Sequence, residues 1–182
     1  MSRHIAFLRA INVGGHSVKM EVLEALFVEL GFADTSSFLA SGNLIFASRR
    51  ASSVALEQRI QTRLETALGF PVATFLRSEA ELAELLSSLP FTRAEIDKAG
   101  ALNVGFLRNV PDAAAGKRLL ALQNKDDQLA LLGSAFCWLS KGKQSDSKLV
   151  NSTFEKALGG PTTLRGINTL VRMNEKLKAT AR

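Results

Sequence analysis

The sequence predicts an α+β fold of two tandem ferredoxin-like subdomains of β-α-β-β-α-β type, the second incomplete or degraded. Three observations carry this prediction. Short apolar runs alternate with amphipathic stretches in a fixed order, that order restarts near residue 101, and Phe7-Leu8-Arg9-Ala10-Ile11-Asn12-Val13 is echoed by Phe106-Leu107-Arg108-Asn109-Val110. The expected boundaries are 1–90 for the first subdomain and 101–182 for the second, which adds a C-terminal helix. At 182 residues and 46% hydrophobic side chains, the chain can build one large core or two small ones.

The elements follow in order. His4 to Arg9 reads as a strand with Ile5 and Phe7 on one face and Ala6 and Leu8 on the other, so both faces should be covered. Val18 to Leu30 places Leu23, Leu26, Phe27 and Leu30 on one helical stripe, and Gly31 stops it. Thr35 to Ala40 and Leu44 to Ala47 flank Ser41-Gly42-Asn43, the composition of a tight hairpin turn. Leu56, Ile60, Leu64 and Leu68 mark a second helix closed by Gly69, and Val72 to Arg77 a fourth strand. Ser78-Glu79-Ala80-Glu81 has the form of a capping box for a helix halted before Pro90. Phe91 to Gly100 reads as the connection between halves.

The second series has a strand at Leu102 to Arg108 and a helix at Asp112 to Leu122. Strands at Gln128 to Leu132 and Ala135 to Leu139 enclose Gly133-Ser134, and a helix follows from Ser147 to Leu158. Gly159-Gly160-Pro161 ends that helix. Only Thr162 to Arg165 is left for a fourth strand, and Ile167, Leu170, Val171 and Leu177 mark a last amphipathic helix. In this topology the hairpin turn returns to the end of the sheet where the first strand exits. Arg9 to His16 should therefore lie beside Ser41 to Asn43, and Arg108-Asn109 beside Gly133-Ser134.

Composition narrows the chemistry. The formal charge of +6 is unevenly spread: residues 1–90 carry 8 Lys/Arg against 9 Asp/Glu, whereas 141–182 carry 9 against 3. That basic quarter is either a patch for phosphate or nucleic acid or a solvated helical face. No apolar run approaches the roughly 20 residues of a spanning helix, and the opening residues lack a signal-peptide layout, so a cytoplasmic protein with no membrane partner is expected. Cys137 stands alone in an apolar run and reads as a small buried hydrophobe. His4, His16 and one Cys do not form a zinc pattern. No nucleophile-and-base pair or phosphate-loop signature is present, and neither metal nor cofactor is expected.

The polar motifs sit at predicted strand ends and turns. Arg9 offers a planar fork for phosphate or carboxylate, and Gly14-Gly15 ahead of a helix lets backbone N–H groups approach an anion. The same glycines equally serve a left-handed turn. Ser41-Gly42-Asn43 is explained by turn chemistry alone and gains a functional reading only from its expected place beside Arg9 and Asn12. Thr163 reads as a cap for the last helix, with Arg165, Asn168 and Thr169 in its first turns. Ser147 and Lys148 read as opening the preceding helix. An RNA-recognition module shares the element order, but a first strand apolar on both faces argues against an open stacking surface.

The run from Phe7 to Gly15, Met20 with Leu23, Leu30-Gly31-Phe32, Ser41-Gly42-Asn43 and Thr163-x-Arg165-x-x-Asn168-Thr169 together resemble the bacterial family known as domain of unknown function 1697. The resemblance runs from Phe7 to Leu177. It implies two related ferredoxin-like subdomains and brings no established activity. The matching positions include Arg9, Asn12, Val13, Gly14, Gly15, Ser41, Gly42, Asn43, Ser147, Lys148, Arg165, Asn168 and Thr169. Three positions depart from the family pattern: Ala10 stands where Gly is usual, Gly166-Ile167 where Asn-Trp is usual, and Arg172 where Lys is usual.

These readings converge on an anionic small molecule or a nucleic-acid end as ligand. It would be held by Arg9, Asn12, Gly14, Gly15, Ser41, Gly42 and Asn43, with Ser147, Lys148, Arg165, Asn168 and Thr169 contributing from the second half. An enzyme using Ser41, Lys148 or His16 in the same cleft, and a protein-interaction module, are the competing classes.

Overall fold

The computed structural model describes residues 1–9, 11, 12, 15, 17–39, 41–49 and 54–180. The chain separates into two compact units, Met1–Ala83 and Glu84–Arg182.

The first unit contains β1 (Ser2–Leu8), α1 (Met20–Glu29), β2 (Ala33–Ser37), β3 (Asn43–Ser48), α2 (Val54–Leu68) and β4 (Thr74–Ser78), and α3 (Glu79–Ser87) follows across the boundary. The sheet is antiparallel in the order β2-β3-β1-β4. This is the split order of a ferredoxin-like unit, with the first and third strands central. Ala6, Leu8, Leu44, Phe46 and Leu76 pack with Leu23, Leu26, Phe27, Leu56, Ile60 and Leu64 from the two helices. Each fully buried Leu or Phe stabilises this layer by about 1.5–3 kcal/mol relative to exposure. Phe27, Phe32 and Phe46 meet as a ring cluster, with Phe32 and Phe46 centroids 4.4 Å apart. The opposite face is buried as well, since Ile5, Phe7 and Phe75 are fully covered. That is the double coverage expected of an apolar first strand, and it excludes an open stacking sheet.

Beyond the end of α3, the second unit continues with α4 (Arg93–Lys98), in the stretch expected to connect the halves. Thr92 and Glu95 form a reciprocal capping box there, a Thr-x-x-Glu signal that the sequence carries. Next come β5 (Ala101–Phe106), α5 (Ala113–Leu120), β6 (Asp127–Leu132), β7 (Ala135–Ser140), a 3₁₀ turn at Gln144–Asp146, α6 (Asn151–Leu158), β8 (Thr163–Gly166) and α7 (Ile167–Ala179). Strand order is β6-β7-β5-β8, which repeats the first sheet. The expected degradation is confined to length: β8 has four residues, all of them paired to β5. Leu119, Leu129, Phe136, Trp138 and Phe154 build the helix-side core. Cys137 is buried, and burial pushes its thiol up to about 11, so it is inert packing.

The capping box at the start of α3 is formed: Ser78 N–H donates to Glu81 Oε2 at 2.6 Å, and Glu81 N–H to Ser78 Oγ at 3.2 Å. Asp112 caps α5 through Ala115 N–H at 2.7 Å.

Candidate functional site

In the first unit, the Leu8 amide donates to Gly42 O at 2.8 Å and the Arg9 amide to Ala73 O at 2.8 Å. The loop after β1, the β2–β3 turn and the approach to β4 thus share one end of the sheet, as the strand directions require. In the second unit the Leu107 amide donates to Ser134 O at 2.9 Å, so the same arrangement recurs. Arg9 is half-buried with its Nε covered.

Gly42 adopts φ +69°, and a Cβ there would stand 2.9 Å from Ile11 Cγ2, so backbone geometry and space both demand glycine. Asn43 is wholly buried and donates through Nδ2 to Phe38 O at 3.0 Å and Ser41 Oγ at 2.8 Å. Its amide is engaged in holding the turn. Asn12 is exposed, and its Oδ1 accepts the Val18 N–H at 2.8 Å, bracing the segment ahead of α1. Gly15 is exposed with φ +89°. Gly14, with Ala10, Val13 and His16, lies outside the described residues.

The second unit corrects two sequence expectations. Ser147 and Lys148 do not open a helix; α6 starts at Asn151. Ser147 is instead extended, with φ −77° and ψ 147°, because its hydroxyl donates to Asp127 Oδ2 at 2.9 Å and accepts the Leu149 N–H at 3.0 Å. Thr163 and Arg165 also precede the last helix, within β8, and Gly166 occupies the N-cap with no side-chain cap bond. Pairing with β5 takes up those residues. Arg165 is therefore buried in a sheet while Asn168 is exposed on α7 and Thr169 is half-buried, so Arg165 and Asn168 are not in one helical turn.

Asp127 is the residue that sequence reasoning missed. Its place in Asn124-Lys125-Asp126-Asp127 suggests a solvated turn, yet it is 3% exposed. Burial works to raise its pKa, but donors from Trp138, Asn124, Ser147 and Ser140 outweigh that effect and hold the carboxyl below the usual range. Trp138 Nε1 donates to Oδ1 at 2.8 Å, and Asn124 Nδ2 to Oδ2 at 3.1 Å. This anchor fixes the floor of a cavity of about 590 Å³ whose lining includes Lys125, Lys141, Lys143, Lys148, Ser140 and Ser147, with Asp126 and Asp146. Lys141 Nζ donates to Lys125 O. Among the described residues, the ammonium groups of Lys125, Lys143 and Lys148 are paired with none of the cavity's carboxylates.

Arg77 is a second residue that the sequence left unmarked. Arg77 pairs with Ile5 and Arg165 with Val104, the same ladder position in each sheet. Each donates Nη1 to the carbonyl of the residue before it, Leu76 at 2.6 Å and Leu164 at 2.8 Å. Burial lowers the pKa of both, Arg165 to about 10; at Arg77 the carboxylates of Glu81 and Glu57 oppose the fall. Arg108, the counterpart of Arg9, borders a mainly apolar cavity of about 310 Å³ with Val110, Leu158 and Pro161.

Two tandem split β-α-β units, each with a buried arginine in its fourth strand, define the protein as a duplicated α+β fold. The chain belongs to the DUF1697 family, described as proteins of unknown function, which matches residues 1–136. Among solved structures it is similar to the conserved bacterial protein SP0830 from Streptococcus pneumoniae, at 24% identity over 98% of this chain and 99% of that one, with a TM-score of 0.75. That likeness concerns the fold. No curated protein matches the chain. Among the described residues, no helix is long and apolar enough to cross a membrane.

Proposed function

We propose that the protein binds a phosphate-bearing or other anionic ligand, such as a nucleotide or nucleic-acid end, and that the lysine-lined cavity of the second unit is its principal site. The observation that carries this reading is the gathering of Lys125, Lys141, Lys143 and Lys148 around one cavity of about 590 Å³ on a rigid base. Ammonium groups are mobile point charges that suit phosphate oxygens. The four lysines outnumber the three lining carboxylates, Asp126, Asp127 and Asp146, so the lining keeps a net positive charge, and the Asp127 oxygens are engaged by internal donors. Ser147, held by Asp127, immediately precedes Lys148 in the lining. In the first unit the half-buried Arg9 offers an additional anion contact beside the Ser41 turn.

Trp138 is the only tryptophan and is bonded to the carboxylate that also holds Ser147. Its fluorescence therefore reports on the cavity floor. Titration with ADP or a 5′-phosphorylated oligonucleotide should give a saturable change that weakens as salt rises. Lys143→Ala combined with Lys148→Ala should weaken that binding by roughly tenfold or more, at about 1 kcal/mol or so for each lost charge contact. Equal affinity in the double variant would end the assignment.

A further inference from the structure

The duplication repeats more than the fold. The lysine cavity lies at the foot of the β6–β7 hairpin, bounded by residues 124–127 on entry and 140–143 on exit. The β2–β3 hairpin of the first unit has a cavity at the same place, about 370 Å³, bounded by Leu30, Gly31 and Phe32 on entry and by Ala47, Ser48 and Arg49 on exit. The ladders confirm the equivalence, since Ser48 pairs with Ser2 at the start of β1 and Ser140 pairs with Ala101 at the start of β5. A cation follows each serine, Arg49 in one unit and Lys141 in the other.

Among the described residues, no carboxylate lines this smaller cavity. Arg59 enters it from α2, donating Nη2 to Leu30 O at 2.8 Å, with its guanidinium carbon 5.9 Å from the Phe32 ring centre. That contact does two things. It offsets the negative end of α1, which would otherwise repel an anion, and it pins the guanidinium while leaving most of its five donors unused by the carbonyl. Arg49 is exposed, and among the described residues it makes no hydrogen bond or ion pair. An exposed guanidinium and a pinned one thus border one small space with no competing acid among the described lining residues.

We infer that this hairpin-foot cavity is a second anion site, taking a phosphate group between the Arg49 and Arg59 guanidiniums. Planar forks make paired hydrogen bonds to phosphate oxygens, which ammonium groups do not. The site does not require the lysine cavity to be occupied, and the two are tested separately.

The test is an amide-shift titration of isotope-labelled full-length protein with inorganic pyrophosphate, with acetate and chloride as comparison anions. Saturable shifts are expected at Gly31, Ser48 and Arg49, and not with chloride. Arg49→Ala, at an exposed side chain with no described partner, should weaken them about tenfold or more. Arg59→Lys, which keeps the charge but loses the planar fork, should weaken them less. Lys143→Ala with Lys148→Ala should leave them unchanged, so loss of the principal site is distinguishable from loss of this one. Absence of saturable shifts, equal shifts with chloride, or full affinity in Arg49→Ala overturns the inference.

Discussion

Ala6 faces Leu44 across the centre of the first sheet, whereas at the same ladder position of the second sheet Gly105 faces Phe136. A residue has shrunk where its neighbour has grown. A Cβ on Gly105 would come within 2.2 Å of the Phe136 ring, so only glycine fits beside that aromatic. Two positions further along the third strand of each unit, Phe46 and Trp138 correspond, and the units hold these rings by different means. Phe46 is met by Phe32 at a centroid distance of 4.4 Å, while the Trp138 N–H is held by the Asp127 carboxylate. Strand order is thus maintained by the volume and satisfaction of paired positions rather than by the residues themselves. An apolar solution in one unit is a polar, charge-bearing solution in the other.

The largest expected effect breaks the polar solution. Asp127→Ala removes the acceptor for Trp138, Asn124 and Ser147 and strands the indole N–H of a fully buried side chain, at a cost on the order of 4 kcal/mol. Thermal melting followed by Trp138 fluorescence checks it, because the first unit contains no tryptophan. The milder Asp127→Asn gives a pH signature. The folded carboxyl titrates below its unfolded value of about 3.9, so its stabilisation is present above that pH and is lost as pH falls through the depressed folded value. Wild-type protein should lose second-unit stability in that acid range. Asp127→Asn should be less stable at neutral pH and show a shallower acid dependence. Parallel acid curves for the two proteins would contradict the network described.

A smaller effect sharpens the volume comparison. Gly105→Ala should destabilise by about 2 kcal/mol through overpacking against Phe136. Combining it with Phe136→Leu recreates the Ala6–Leu44 pair of the first unit and should recover part of the loss. Additive destabilisation in the double variant would show that the two positions do not trade volume. The reciprocal Ala6→Gly change should be mild, because Leu44 does not require the space.

What the sequence made legible follows from the same contrast. Helical stripes such as Leu56, Ile60 and Leu64 and the all-apolar β1 announce their burial directly, and connectivity then fixes which loops share a sheet end. The Leu8–Gly42 and Leu107–Ser134 bonds show that this second step was sound. Charged residues inside the fold announce nothing. Asp127 sits in a hydrophilic run, and its burial arises from partners 3, 11, 13 and 20 positions away. Arg77 ends an apolar run, as a solvent-facing strand end does. Ser147 precedes a helical stripe and reads as its start, because the hydroxyl bond that keeps it extended goes to Asp127, 20 residues earlier in β6. The short α4 has no buried residue to generate a stripe, and only its capping box marks it.

Arg77 and Arg165 provide the finest test of how the units differ. Both occupy the fourth strand at equivalent register, and both bond the carbonyl before them. Arg77 lies near Glu57, which is 4% exposed and accepts the Leu76 N–H through Oε1 at 2.9 Å. Removing the arginine leaves that buried carboxylate without its nearby positive charge. Arg165 is lowered to about 10 by burial, with no opposing carboxylate effect, so its charge is a net cost at neutral pH. Replacing a buried charge by an apolar side chain of similar length is often close to neutral when no opposite charge is abandoned. Arg77→Met should therefore cost about 2 kcal/mol, and Arg165→Met no more than about 1 kcal/mol, its Nη1 bond to Thr163 Oγ1 accounting for that remainder. Denaturant midpoints measured on the two variants decide it. A larger loss at Arg165 than at Arg77 would mean that the Arg165 guanidinium is stabilised by more than its bonds to Thr163 and Leu164, and would overturn the contrast.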